Sequence, residues 1–409
     1  MKYKEYKHLN YAEIAKEALD FWRENEVFKK SVSSREGKPT FTFFEGPPSA
    51  NGTPGIHHVM ARAVKDIFCR YKTLKGYQVK RKGGWDTHGL PVELQVEKEL
   101  GIKKDDIGKT ISVAEYNQKC RETVMKYKDQ WDNLTQKMGY WVDLNDPYVT
   151  FERDYIESLW SLLKKLFDKD LLYKGYTIQP YSPAAGTGLS SHELNQPGTY
   201  KDVKDTTVTA QFKVKGSTNE YFLAWTTTPW TLAGNSALAV GEKIDYAKVR
   251  TFNAYTFEEI IVILAKDRVS SYFNPKAADL VLEDYNEGDK LIPYQIMEEV
   301  KGSDLVGKEY EQLLSYVKPN GPAFKVIPGD FVSTEDGTGI VHISPTFGAD
   351  DQRVAAQAGI AAILVKDEEG KDVPIVDKQG RYVKEITDFA GIHVKNEYYA
   401  AGQAPEKSL

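Results

Sequence analysis

Residues 41–58 read Phe41-Thr42-Phe43-Phe44-Glu45-Gly46-Pro47-Pro48-Ser49-Ala50-Asn51-Gly52-Thr53-Pro54-Gly55-Ile56-His57-His58, and the order of residue types in this run decides the fold. The first four are aromatic or β-branched, which predicts a buried strand. Glu45 and Gly46 end it, and the consecutive Pro47 and Pro48 fix the backbone as it leaves. The small residues that follow let a ligand approach the main chain. From residue 57 to 74 the period becomes helical, with Val59, Ala63, Ile67 and Tyr71 on one face. Strand, Gly/Pro-rich turn and helix together open an α/β nucleotide-binding unit. The free amides and dipole of the helix N-terminus favour anions where His57 and His58 stand. Spacing alone fits equally well a rigid turn that carries two solvated histidines.

On the N-terminal side, Ile14, Ala18, Phe21, Trp22 and Val27 recur at helical spacing over residues 12–28. On the other side, residues 77–81 predict a second strand that leads into Gly83-Gly84-Trp85-Asp86-Thr87-His88-Gly89-Leu90-Pro91. Residues 113–138 and 153–168 carry long helical patterns. Beyond about residue 181 the period changes. Val208, Ala210, Phe212 and Val214 alternate with polar residues, and a turn over 216–219 returns the chain into 221–226 as a hairpin. Short strands continue to about residue 394, which places a boundary near 185 between an α/β domain and a β-rich one. No internal repeat or low-complexity tract appears.

Composition narrows the function classes. Across 409 residues, 54 Lys and Arg face 59 Asp and Glu for a net charge of −5, which argues against a small, uniformly basic nucleic-acid binder. Hydrophobic residues at 41% and charged residues at 28% describe a globular chain rather than a disordered one. Cys69 and Cys120 are too few for a disulfide framework or a four-thiolate metal site. The apolar run 260–265 is far too short for a bilayer, and residues 1–10 hold no apolar signal core. These features predict a soluble, multidomain protein of a reducing compartment.

Generic nucleotide motifs fail on inspection. Residues 302–308 have the spacing of a phosphate-binding loop, but Glu309 stands where Ser or Thr should hold magnesium, and a carboxylate there repels phosphate. Gly337-Thr338-Gly339 and Gly186-Thr187-Gly188 lack the third glycine of a dinucleotide fingerprint. His192-Glu193 has no second histidine at zinc-protease spacing.

Longer blocks carry more. The run from Glu45 to Pro54, the helix segment Lys65-Asp66-Ile67-Phe68, and Gly84-Trp85-Asp86-Thr87-His88-Gly89-Leu90-Pro91-Val92-Glu93 resemble isoleucyl-tRNA synthetases, a family of class I aminoacyl-tRNA synthetases. The resemblance continues through Lys174-Gly175-Tyr176, Pro180-Tyr181-Ser182, Trp225-Thr226-Thr227-Thr228-Pro229-Trp230-Thr231-Leu232 and Gly337-Thr338-Gly339-Ile340-Val341-His342. It implies an α/β fold: the first half of a Rossmann-like catalytic domain (1–184), an inserted β-rich α+β editing domain (185–395), and the start of a return to the catalytic domain (396–409). It further implies activation of isoleucine by ATP with Mg2+ and transfer to tRNA, by a monomeric, cytoplasmic enzyme with no membrane association.

The site residues follow from the same resemblance. Gly46 and Pro47 would line the amino-acid pocket, and Asp86 would hold the substrate ammonium. The signature reads His-x-Gly-His in the family, but here it is Gly55-Ile56-His57-His58. His58 is kept, and His57 is expected to fold toward the phosphates in place of the missing first histidine. Family members often carry Cys-x-x-Cys after the Pro-Tyr pair, where this chain has Ser182 and Ala185, so no zinc site is expected there. In the editing half, Thr226, Thr227 and Thr228 would position water and the terminal ribose, His342 would limit pocket size, and Asp351 would bind the ammonium of misattached valine. Asp350 reads as a solvated neighbour. The family's second signature, Lys-Met-Ser-Lys-Ser, does not occur, so a fragment of the enzyme is expected to be incompetent for activation alone. A standalone hydrolase of mischarged tRNA and a non-catalytic tRNA- or nucleotide-binding module are the alternatives.

Overall fold

A computed structural model describes residues 8–399 and 402–404, which fall into two compact units, one ending at Lys174 and the other beginning at Gly175. Residues 1–7, and within 396–409 residues 400, 401 and 405–409, lie outside the described residues; Asn396–Tyr398 is one 3-10 turn. The fold is α/β, with a Rossmann-like parallel sheet in the first unit and a β-rich second unit.

The first unit runs α1 (Tyr11–Glu24), β1 (Thr40–Phe44), α2 (Ile56–Leu74), β2 (Gln78–Trp85), α3 (Leu90–Leu100), α4 (Val113–Val124), α5 (Lys128–Lys137), β3 (Asp143–Val149) and α6 (Arg153–Phe167). β2 lies between β1 and β3, and all three are parallel. Four expectations change. The helix expected over 12–28 is interrupted at Glu26, whose φ of 48° is left-handed, and restarts as Val27–Ser33. β1 is uncovered on one face, so Thr40, Thr42 and Phe44 are exposed instead of buried, and Phe41 and Phe43 on the other face are half-buried. The long pattern over 113–138 splits into α4 and α5, and the break lets the Tyr127 amide donate to Ala50 O at 2.9 Å. β2 runs four residues beyond 81, because its glycines serve close approach rather than a turn. A Cβ on Gly83 would meet Asp143 O at 2.7 Å, and one on Gly84 the Tyr148 ring at 2.5 Å.

The helix α2 forms as its spacing predicts, yet it turns the other face inward. Ile67 and Tyr71 are 65% and 54% exposed, whereas Arg62, Cys69 and Thr73 are buried. A polar ladder explains this: Asp66 pairs with Arg70 at 2.6 Å and with Arg81 of β2 at 3.1 Å, and Arg81 donates to Thr73 Oγ1 at 2.9 Å. Charge-assisted bonds of this kind tie that face of the helix to β2.

The second unit contains β4 (Val208–Lys213), β5 (Glu220–Thr226), β6 (Ala237–Val240), β7 (Asp245–Phe252), β8 (Glu259–Ala265), β9 (Gln295–Lys301), β10 (Lys325–Pro328), β11 (Ile340–Ile343) and α7 (Ala349–Gln357). β4 and β5 form the expected antiparallel hairpin. One sheet has the order β9-β7-β8-β5-β4 and another β10-β6-β11. Phe212, Phe222, Leu238, Val240, Ile263 and Ile340 share one core between the two sheets. Leu223, Val249, Val262 and Leu264 pack on the far side of the larger sheet, and Ala237, Ala239 and Ile343 pack against Val354 and Ala355 of α7. β8 and β6 are therefore covered on both faces, which is why their sequences are unbroken apolar runs.

Candidate functional site

In the first unit the predicted residues gather at the C-terminal ends of β1 and β2, the edge at which open α/β sheets bind ligands. The Asp86 amide donates to Pro48 O at 3.0 Å, which ties the end of β2 to the Gly46-Pro47-Pro48 turn. The turn is anchored from beneath. Buried Glu45 accepts from Lys65 and from the Tyr140 hydroxyl, while the Tyr148 hydroxyl donates to Glu45 O. Trp131 Nε1 holds Gly52 O at 2.8 Å, and the His88 amide donates to Asp86 Oδ1 at 3.3 Å.

Gly55 caps α2. His58, in the first turn, accepts the Gly55 amide on Nδ1 at 2.9 Å and lies edge-on to Trp131 with centroids 4.6 Å apart. Burial, and then the neighbouring His57, push the His58 imidazole below its ordinary value, so it is a neutral acceptor at pH 7. The His57 ring folds back over Gly55; a Cβ on Gly55 would stand 2.8 Å from its Cε1. The imidazole of residue 57 thus takes the space into which a side chain at 55 would project.

In the second unit Thr226, Thr227, Thr228, His342 and Asp351 line a single cavity of about 390 Å³. Strand alternation sets two of them. Thr226 shares the face of Phe222 and Ala224, and His342 shares that of Ile340, so both point between the sheets. Thr231, in the 3-10 turn Pro229–Gly234, joins them. Its hydroxyl donates to Thr228 O at 2.8 Å and accepts from His342 Nε2 at 2.9 Å. With the Thr231 proton engaged by Thr228 O, this contact is satisfied by the tautomer protonated on Nε2, and buried Nδ1 has no partner among the described residues. Burial pushes the imidazole down to about 4, which leaves it uncharged at pH 7.

Asp351 lies in the first turn of α7, and its Oδ2 accepts the Ser344 amide at 2.8 Å. Burial raises its carboxyl above the ordinary value, a shift that a bound cation would reverse. Asp350 is exposed and pairs with Arg353 at 3.1 Å, the solvated role expected of it. Sequence reasoning missed Thr231, Ser344, Gly348 and Asp336, which also line the cavity. Thr231 stood inside a quoted block, but no local pattern joins it to a histidine 111 positions away. Ser182 and Ala185 lie in a small hairpin where Ser182 Oγ accepts the Ala185 amide at 3.2 Å. Among the described residues no group of three or more His, Cys, Asp or Glu is arranged to hold a metal, and no helix is long and apolar enough to cross a membrane.

Comparison with known proteins bears on the family. The sequence model of tRNA synthetases class I (I, L, M and V) matches residues 17–373. The isoleucine–tRNA ligase of Cytophaga hutchinsonii is 69% identical over 402 residues, covering 97% of this chain and 36% of its own length. That of Bacteroides fragilis is 61% identical over 420 residues, covering 97% and 37%, and that of Clostridium tetani 44% over 399, covering 95% and 36%. The chain spans little more than a third of the length of these curated relatives. The family match extends across both units, and the chain belongs to the class I tRNA synthetases (I, L, M and V).

Proposed function

We propose that the chain carries the amino-acid and nucleotide half-site of an isoleucine–tRNA ligase together with the hydrolytic site that removes valine from mischarged tRNA. The first unit is read as the first half of the catalytic domain and the second as the editing domain. The observation that carries the reading is the convergence of Thr226, Thr227, Thr228, His342 and Asp351 on one cavity, from two strands, the turn that leaves the first of them, and a helix. Relatives named isoleucine–tRNA ligase support the choice of amino acid.

In activation, the isoleucine carboxylate attacks the α-phosphate of ATP and pyrophosphate leaves, with Mg2+ accompanying the nucleotide as substrate. The ends of β1 and β2 would hold the amino acid, Gly46 and Pro47 lining its pocket and Asp86 facing its ammonium. The start of α2, with His57 and His58, would meet the phosphates. A hydrophobic pocket separates isoleucine from valine only weakly, a limit for which the isoleucine enzymes are themselves the standard illustration, and a second, smaller sieve corrects the error.

In that sieve, water attacks the ester carbonyl carbon, the tetrahedral intermediate collapses, and the ribose oxygen leaves with a proton. No protein nucleophile is needed. The threonine hydroxyls would orient the water and the ribose, and Asp351 would pair with the valyl ammonium. Because His342 is neutral, it narrows the cavity without repelling that ammonium. The partners implied are isoleucine tRNA, isoleucine and ATP, for a monomeric cytoplasmic enzyme, as the resemblance suggests.

The test is release of valine from valyl-tRNA by the 409-residue chain. Valyl-tRNA should be hydrolysed and isoleucyl-tRNA spared, and Asp351→Ala should lower the valyl rate by at least ~100-fold with little change in melting. Undiminished hydrolysis by Asp351→Ala would overturn the assignment.

A further inference from the structure

Gly348 precedes α7 with φ −133° and ψ 136°, an extended backbone that any residue adopts. The main chain does not require glycine here. A Cβ at this position would stand 2.7 Å from Cγ of Asp351, 2.8 Å from Oδ1 and 3.1 Å from Oδ2. The carboxylate thus fills the place of the missing side chain.

Its other partner is fixed. The Ser344 amide holds Oδ2 at 2.8 Å, and Ser344 Oγ in turn donates to Gly234 O at 3.0 Å. Ser344 cannot follow a displaced carboxylate, because its hydroxyl is packed against Gly234, where a Cβ would come within 2.6 Å of Oγ. The Asp351 side chain, by contrast, hangs from the first helical turn by a rotatable bond and can turn aside once it gives up the Ser344 amide. A methyl group at 348 would move that side chain and leave the backbone where it is.

We propose that Gly348 is a positioning residue of the cavity: the absence of a side chain there keeps the Asp351 carboxylate on the Ser344 amide, where it meets the ammonium of an aminoacyl ester. The role rests on the editing reading above. It predicts a change in substrate binding rather than in folding, since the group displaced is the one that would pair with the substrate's charge.

Two measurements on the 409-residue chain test it. For valyl-tRNA hydrolysis, Gly348→Ala should raise KM by ~10-fold or more while kcat changes less than about 3-fold. The second needs no substrate. The urea midpoint of unfolding is compared for Gly348→Ala in the wild-type and Asp351→Ala backgrounds. The clash is with Asp351, so the midpoint shift should be clearly larger in the first background than in the second, where only the cost of losing a glycine cap remains. An unchanged KM, or an equal midpoint shift in both backgrounds, would overturn the proposal. If the wild-type chain releases no valine, the editing reading fails, and the paired midpoints still decide whether Gly348 places Asp351.

Discussion

In the first unit the candidate residues stand on open strand ends and an exposed helix start; in the second they line a cavity between two sheets. Yet the helices that open the two sites, α2 and α7, begin alike. Each is capped by a glycine in ordinary extended conformation, Gly55 or Gly348, and each turns the side chain of its third residue, His58 or Asp351, back over that start. They differ in where the returning side chain finds its partner. His58 takes the amide of Gly55, within its own turn. Asp351 takes the amide of Ser344, beyond the end of β11. The first arrangement is local and survives on its own turn, whereas the second depends on the packing of a strand, a loop and a helix.

The largest effect should come from the packing that supports the second site. Phe222 is fully buried in the core between the sheets, whereas Phe43 on the edge strand β1 is half-buried. Phe222→Ala should lower unfolding stability by about 4 kcal/mol, the range of cavity-forming Phe→Ala changes. Phe43→Ala should lower it by less than about 2 kcal/mol, because less apolar area leaves water there. Denaturant titration with probes in each unit checks the ratio. Equal losses would remove the contrast between the edge strand and the core.

What the sequence shows in advance divides along the same line. The strand–turn–helix order of residues 41–74 is legible because it is written in local signals: aromatic residues, two prolines, and then a helical period. The inward face of α2 is not legible. Ile67 and Tyr71 obey the apolar pattern, but the face turned to β2 is the one where Asp66 pairs with Arg70 on the helix and with Arg81 on the strand, and no local spacing announces that cross-element pair. The cavity shows the same limit. Resemblance names Thr226, His342 and Asp351, while Thr231, Ser344 and Gly348, which hold them, are joined only once the strands are in register. Glycine in a sequence signals a turn by default, and here Gly83, Gly84 and Gly348 mark close approach instead.

Acid should sharpen the comparison next. His342 titrates at about 4 in the folded protein against an ordinary 6.5. Between those values the unfolded chain binds more protons, so stability falls as pH drops from 6.5 toward 4 and levels off below. At about 1.4 kcal/mol per unit the loss is roughly 3 kcal/mol. Asp351 works in the opposite direction: its raised carboxyl takes up a proton at higher pH when folded, which returns some stability as pH falls through that value. Urea midpoints from pH 7 to 4 should therefore slope downward in the wild type and flatten in His342→Gln. An unchanged slope in the variant would mean that burial of His342 does not govern the acid response.

The smallest effect is the most direct comparison of the two helix starts. Gly55→Ala places a methyl group against the His57 ring as Gly348→Ala does against Asp351, with nearest approaches of 2.8 and 2.7 Å. The consequences should differ, because His57 is exposed, touches the His58 ring at 3.8 Å between centroids, and has no hydrogen-bond partner among the described residues, so its ring can swing into solvent. Replacing a glycine cap by alanine costs roughly 0.5–1 kcal/mol in its own right. That cost should be the same with His57 or with His57→Ala, giving a coupling below about 0.5 kcal/mol between positions 55 and 57. Between 348 and 351 the coupling should exceed that value, because Asp351 must leave a hydrogen bond to make room. If position 55 instead couples to 57 as strongly as 348 does to 351, His57 is held over the helix start by more than its own turn. The first site would then be as fully assembled as the second, with the histidine order Gly55-Ile56-His57-His58 built into its packing.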